Sequence, residues 1–130
     1  MAIGMVTGLR NSRLDAITTF AGTNCKLRIY NGTQPATGGT ATTLLAELIC
    51  NATFAPAASS AVLTLNAIAN GTAAATGTAT WARILKTDGT TIVLDCTVGT
   101  SGADINLNTT SIVINATVSV TSATITESNA

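Results

Sequence analysis

The sequence predicts an all-β protein: a β-sandwich or jelly-roll-like barrel of about eight strands, with one short N-terminal helix. Three observations point there. Thr and Ala together make up over a third of the chain, and the β-branched Thr favours strands. Short apolar runs alternate with turn chemistry (Asn-Gly, Asp-Gly and Gly/Pro/Ser clusters), with a turn signal roughly every 8–15 residues. Runs with helical period are nearly absent, and no repeat of fixed period argues for a solenoid.

The one helical signal comes first. Ser12-Arg-Leu-Asp15 resembles a capping box, with Asp in place of Glu. Leu14, Ile17 and Ala21 follow at helical spacing, and Gly22 is a suitable stop. These mark a helix over residues 12–21. Cys25, Leu27 and Ile29 then share one face of a strand, with Lys26, Arg28 and Tyr30 on the other. Asn31-Gly32 ends that strand, and a Thr/Gly/Pro loop spans 32–41. Leu44 to Cys50 is nearly continuous apolar sequence, which predicts a buried strand. A loop at 56–60 precedes a brief strand, Val62 to Leu65, and Asn70-Gly71 reads as a turn. The clearest unit is Thr78 to Asp95. Trp81, Arg83 and Leu85 alternate with Ala82 and Ile84, Asp88-Gly89 turns the chain, and Ile92 to Leu94 return. After a loop at 99–102, the groups Ile105/Leu107, Ile112–Ile114 and Val118/Val120/Ile125 supply the last strands.

With 130 residues, the chain is one domain's length and buries a core without metals or disulfides. Residues 1–11 read as an N-terminal arm and 12–130 as a single β domain. Formal charge is zero, and only 9% of residues are charged, against about 25% usually. Soluble proteins that work alone keep net charge away from zero, so such a surface is either made soluble by Thr, Ser and Asn or meant to be covered by copies of itself or by partners. The charge is uneven: Arg10, Arg13, Lys26 and Arg28 face only Asp15 in the first thirty residues, and the acids dominate afterwards. With no basic run and only Phe20, Tyr30, Phe54 and Trp81 to stack on bases, nucleic acid is not an expected partner. No apolar stretch is long enough to span a membrane, and Met1 to Gly8 does not read as a secretory signal. Synthesis in a cytoplasm is the expectation.

Catalytic chemistry finds little footing. The chain has no histidine, which removes Ser-His and Cys-His nucleophiles and His-based metal sites. It carries no phosphate-binding glycine loop and no Cys-x-x-Cys pair. Glu47 and Asp95 sit on strands, where a solvent-facing position or pairing with Arg28, Arg83 or Lys86 accounts for them better than a glycosidase dyad does. No enzyme activity, cofactor or metal is expected. Cys25, Cys50 and Cys96 each fall on the apolar side of a strand. They read as buried thiols or, alternatively, as disulfide partners. Trp81, the sole tryptophan, reads as a core anchor, with an oligomer hot spot as the alternative.

The stretches Leu27-Arg-Ile-Tyr-Asn-Gly-Thr-Gln-Pro35, Leu44-Leu-Ala-Glu-Leu48, Gly77-Thr-Ala-Thr-Trp-Ala-Arg-Ile-Leu-Lys-Thr-Asp-Gly89 and Gly102-Ala-Asp-Ile-Asn-Leu-Asn-Thr-Thr110 resemble small structural proteins of tailed bacteriophages. The closing Val-Ser-Val-Thr-Ser-Ala-Thr-Ile-Thr-Glu127 extends the likeness, which spans about residues 9–127. The resemblance implies a virion protein made in the bacterial host cytoplasm and present in many copies. Its place would be head decoration, neck or collar, or tail, with other virion proteins (major capsid, neck or tail) as partners. It transfers no catalytic residues. A carbohydrate-binding module is the alternative from another class, disfavoured because sugar sites stack on exposed aromatics. For assembly, the expected contacts are Ile3, Met5, Val6, Arg10 and Arg13: three apolar side chains on a Gly-flanked arm, and two cations facing the acidic excess of a neighbour.

Overall fold

The computed structural model describes residues 3–127. The chain is mostly β with one helix, as its composition predicts. The helix, α1 (Thr7–Ala21), starts five residues before the expected position. Ser12 is not its cap. Val6 is the N-cap and makes no side-chain cap bond, while the Ser12 hydroxyl donates to the Gly8 carbonyl one turn back. Tertiary contacts account for the longer helix. Arg10 Nε and Nη2 donate to the Glu127 carbonyl. Asn11 Oδ1 accepts the Ala61 N–H, and Asp15 Oδ1 accepts the Ala58 N–H. Positions 10, 11, 14 and 15 share one helical face, and Leu14 on it is fully buried. Docking of that face overrides the local start signal. Gly22, at φ +72°, ends the helix and donates its N–H to Thr18 O.

Eleven strands follow among the described residues, three more than expected, because several are two-residue pieces. They are β1 (Lys26–Tyr30), β2 (Leu44–Ile49), β3 (Val62–Thr64), β4 (Gly71–Thr72), β5 (Gly77–Thr78), β6 (Trp81–Leu85), β7 (Ile92–Gly99), β8 (Ile105–Leu107), β9 (Ser111–Ile112), β10 (Thr117–Val118) and β11 (Val120–Thr126). Seven form one sheet in the order β2-β1-β6-β7-β8-β11-β3. Every pair is antiparallel except β7–β8. That parallel pair is joined by a connection far shorter than the usual crossover. Asp104 makes it possible: its carboxylate accepts from the Thr97 N–H and hydroxyl, and its own N–H donates to Thr97 Oγ1.

The face assignment read from alternation holds on β1 and β6. Leu27 lies between Leu48 and Ile84, and Ile29 between Ala46 and Ala82; all belong to the main apolar core. Phe54, Leu63, Ile105, Leu107 and Val118 close that core from the other elements. The hairpin at Asp88-Gly89 is present. Gly89 has φ +73° and donates to Lys86 O, while Asp88 Oδ1 accepts from the Thr90 and Thr91 N–H groups.

Asn70-Gly71 does not turn the chain. Gly71 begins β4, and a Cβ there would meet Glu47 O at 2.9 Å, so the glycine serves a close backbone approach. The short pairs β3–β11, β4–β10 and β5–β9 are pieces of one long antiparallel ribbon. Leu63 faces Ile125, Gly71 faces Val118 and Gly77 faces Ile112, a register that shifts by one residue over the whole length. Its lower end pairs with the sheet through β11 and β8. Higher up, Ala69 and Ala74 donate to Ile49 and Leu45 of β2, and Ala46 bridges Ala73. The ribbon therefore touches both rims of the seven-stranded sheet.

Candidate contact surface

The segment before the helix presents its apolar side chains to solvent. Ile3 is 79% exposed, Val6 75% and Leu9 49%. Phe20, Ile49, Val113 and Ile114 are the other exposed large apolar side chains among the described residues, but only this group of three falls together in sequence at the chain's start. Met5 is half-buried, with Arg13 Nη1 3.1 Å from its Sδ. Arg10 and Arg13 both reach Glu127 of their own chain, and the Arg13 side chain stays exposed. Arg10 holds the Glu127 carbonyl, and Arg13 Nη1 lies 2.9 Å from Glu127 Oε1. The helix begins at Thr7, within the stretch expected as an arm over residues 1–11, and the two arginines pair within the chain through Glu127, which follows β11. Leu9 was legible only once that helix start was known.

A second polar arrangement crosses the outer face of the sheet. Register aligns Glu47, Arg28, Arg83 and Asp95 in one row over β2, β1, β6 and β7. Each acid takes the neighbouring arginine: Arg28 Nε to Glu47 Oε2 at 2.6 Å, and Arg83 Nε to Asp95 Oδ1 at 2.7 Å. These are the pairings that alternation suggested in place of a catalytic dyad. The two bridges differ in burial. The Arg28 and Glu47 side chains keep 26% and 33% exposure, whereas those of Arg83 and Asp95 keep 7% and 0%. The connection between β1 and β2 straps over the second bridge. Gly38 donates its N–H to Asp95 Oδ2, and Gly39 O accepts from Arg83 Nη2. Burial pushes the Asp95 carboxyl up, but Arg83 and the Gly38 N–H outweigh it and hold it below its ordinary value. The partner acids in turn raise Arg28 and Arg83.

Trp81 is fully buried under this strap, apart from the main apolar core. It stacks on Tyr30 at 4.5 Å and lies under the Arg83 guanidinium. Its Nε1–H donates to Asn31 O and Thr42 Oγ1. The expected core anchor is therefore an anchor of the outer layer: Trp81 and Arg83 alternate with the core-facing Ala82 and Ile84, and the strap covers their side. Alternation separated Trp81 from Ala82 and Ile84, but neither the choice of core face nor the cover over the other face had a signal in the sequence.

The three cysteines are free and buried. Burial, with Asp104 and Asp95 nearby, pushes the Cys96 thiol up to about 12. Among the described residues there is no enclosed pocket, no group of three His, Cys, Asp or Glu side chains placed to hold a metal ion, and no helix long and apolar enough to cross a membrane. The chain matches no protein-family model, no curated protein and no solved structure.

Proposed function

We propose that this chain is a structural component of a tailed-phage virion: a capsid decoration or cement protein that stabilises the particle through subunit contacts. Its partners are copies of itself and other virion proteins, and its role is not enzymatic. The observation that carries this reading is the exposed apolar cluster Ile3, Val6 and Leu9 at the start of a helix locked to the body. Burying such side chains contributes roughly 1.5–3 kcal/mol each, and a surface with so little charge offers weak resistance to self-association. A neck, collar or tail position would use the same surface. The carbohydrate-binding alternative is weakened by the burial of Tyr30 and Trp81, the two rings it would need. The ribbon that touches both rims of the sheet supports the barrel-like form of the expected architecture over two separate facing sheets.

The test is the triple variant Ile3→Ser, Val6→Ser, Leu9→Ser, bound to particles of the phage whose genome carries the gene. The expected result is at least a tenfold loss of occupancy at limiting protein, about 1.4 kcal/mol or more, with an unchanged far-UV CD spectrum. Unchanged occupancy would overturn the proposal.

A further inference from the structure

Cys25 immediately precedes β1 and Cys50 immediately follows β2. The β1–β2 register runs Lys26↔Ile49, Leu27↔Leu48. Continued one step outward, it sets Cys25 opposite Cys50, and the Cys50 N–H donates to the Cys25 carbonyl at 2.8 Å. Both side chains point into the main core, at 0% and 3% exposure. Directly opposed residues of a hydrogen-bonded antiparallel pair have Cα atoms about 5.5 Å apart, inside the range a disulfide spans. Cys96 is near enough to raise Cys50 electrostatically, but it lies on β7 opposite Ala82 of β6, two strands from β1 in the sheet, and its Sγ–H donates to the Ala82 carbonyl.

We propose that Cys25 and Cys50 form an oxidisable dithiol, a site at which a small-molecule disulfide staples β1 to β2 while Cys96 stays a free thiol. The step balances as thiol–disulfide exchange. The Cys25 thiolate attacks the oxidant's S–S bond, forming a mixed disulfide and releasing one thiol. Cys50 then attacks the Cys25 sulfur, forming the intramolecular bond and releasing the second thiol. The two protein protons end on the two released thiols, and two electrons pass from protein sulfur to the oxidant. The Cys50 S–H lowers Cys25, while the same contact, burial and the nearby Cys96 raise Cys50. Because both groups are covered, exchange runs through fraying of the adjoining strand ends. The bond closes the loop that includes the strap over Arg83 and Asp95, and so tightens the outer layer as well.

The experiment incubates the full chain with oxidised glutathione in mild denaturant, removes both, and maps the cysteines by peptide mass spectrometry. The expected product is a monomer lighter by about two mass units, with a Cys25–Cys50 cross-link and Cys96 still open to alkylation. Its Tm should rise by roughly 10 °C, the gain expected for a loop of this length, and return to the starting value with dithiothreitol. A Cys96→Ala chain should oxidise in the same way and a Cys50→Ala chain should stop at the mixed disulfide. The wild-type map stands alone if either variant fails to fold. A bridge that includes Cys96, a mixed disulfide that never closes, or a Tm that falls on oxidation would each overturn the proposal.

Discussion

Arg83 shows how one residue can be read correctly and still be understated. Alternation put it on the face of β6 shared with Trp81 and Leu85, without deciding which face packs the core; that face is the outer one, where a guanidinium normally reaches water, yet only 6% of Arg83 is exposed. Its charge is met by Asp95, its Nη2 is taken by Gly39 O, and its plane lies over Trp81. A buried pair of this kind costs most when half of it is removed, because the remaining charge stays desolvated. Asp95→Ala is therefore expected to destabilise by about 3 kcal/mol. The double variant Arg83→Met, Asp95→Leu should lose clearly less, since both charges leave together. Urea unfolding of the two variants checks this, and a double variant as weak as the single would show that the bridge itself, not its desolvation, matters.

At the scale of elements, the β6–β7 hairpin is the unit most completely written in local sequence. Asp88 closes the turn by accepting two backbone N–H groups and the Thr91 hydroxyl. Gly89 adopts the left-handed conformation that follows. A side chain there is strained and also crowded, for a Cβ would lie 3.1 Å from Arg28 Nη2. Gly89→Val should therefore destabilise by about 1–2 kcal/mol, since a β-branched residue is poorly tolerated at positive φ. Wild-type stability in chemical denaturation would contradict that reading. Helix α1 is the opposite case. Its local signals point to residue 12, but Asn11, Asp15 and Arg10 each satisfy a partner from distant chain and draw the start back to Thr7.

For the whole molecule, the titrating groups set a pH window. Asp88 and Asp95 are both held below the ordinary carboxyl value of 3.8, Asp88 by its turn hydrogen bonds and Asp95 by Arg83 and Gly38 against its burial. A depressed native pKa gives stability that is present above the unfolded value and lost as pH falls through the native one. Cys96 behaves the other way. It is raised from 9.0 to about 12, so above the unfolded value the denatured thiolate is favoured and stability declines. The Tm is expected to be flat from about pH 5 to 8, then to fall below about pH 4 and above about pH 9. Asp95→Asn should flatten part of the acid limb. An acid limb identical in that variant would mean that Asp95 is not among the groups responsible.

The sequence by itself determined the β class, the single helix near the start, the Asp88-Gly89 hairpin, the core face of β1, and the burial of the cysteines. Each of these follows from interactions between residues close in the chain or from two-residue alternation, which a linear pattern records. Only the tertiary structure decided the long ribbon from β3–β5 to β9–β11, the parallel β7–β8 pair held by Asp104, and the strap that turned Trp81 and Arg83 into buried residues. The same holds for the pairing of Arg10 and Arg13 with Glu127, and for the placement of Cys25 opposite Cys50. These depend on hydrogen bonds and register between residues tens of positions apart. Threonine-rich strands with few charges accept many such registers with little difference in local preference, so the choice among them is made by packing of the assembled core.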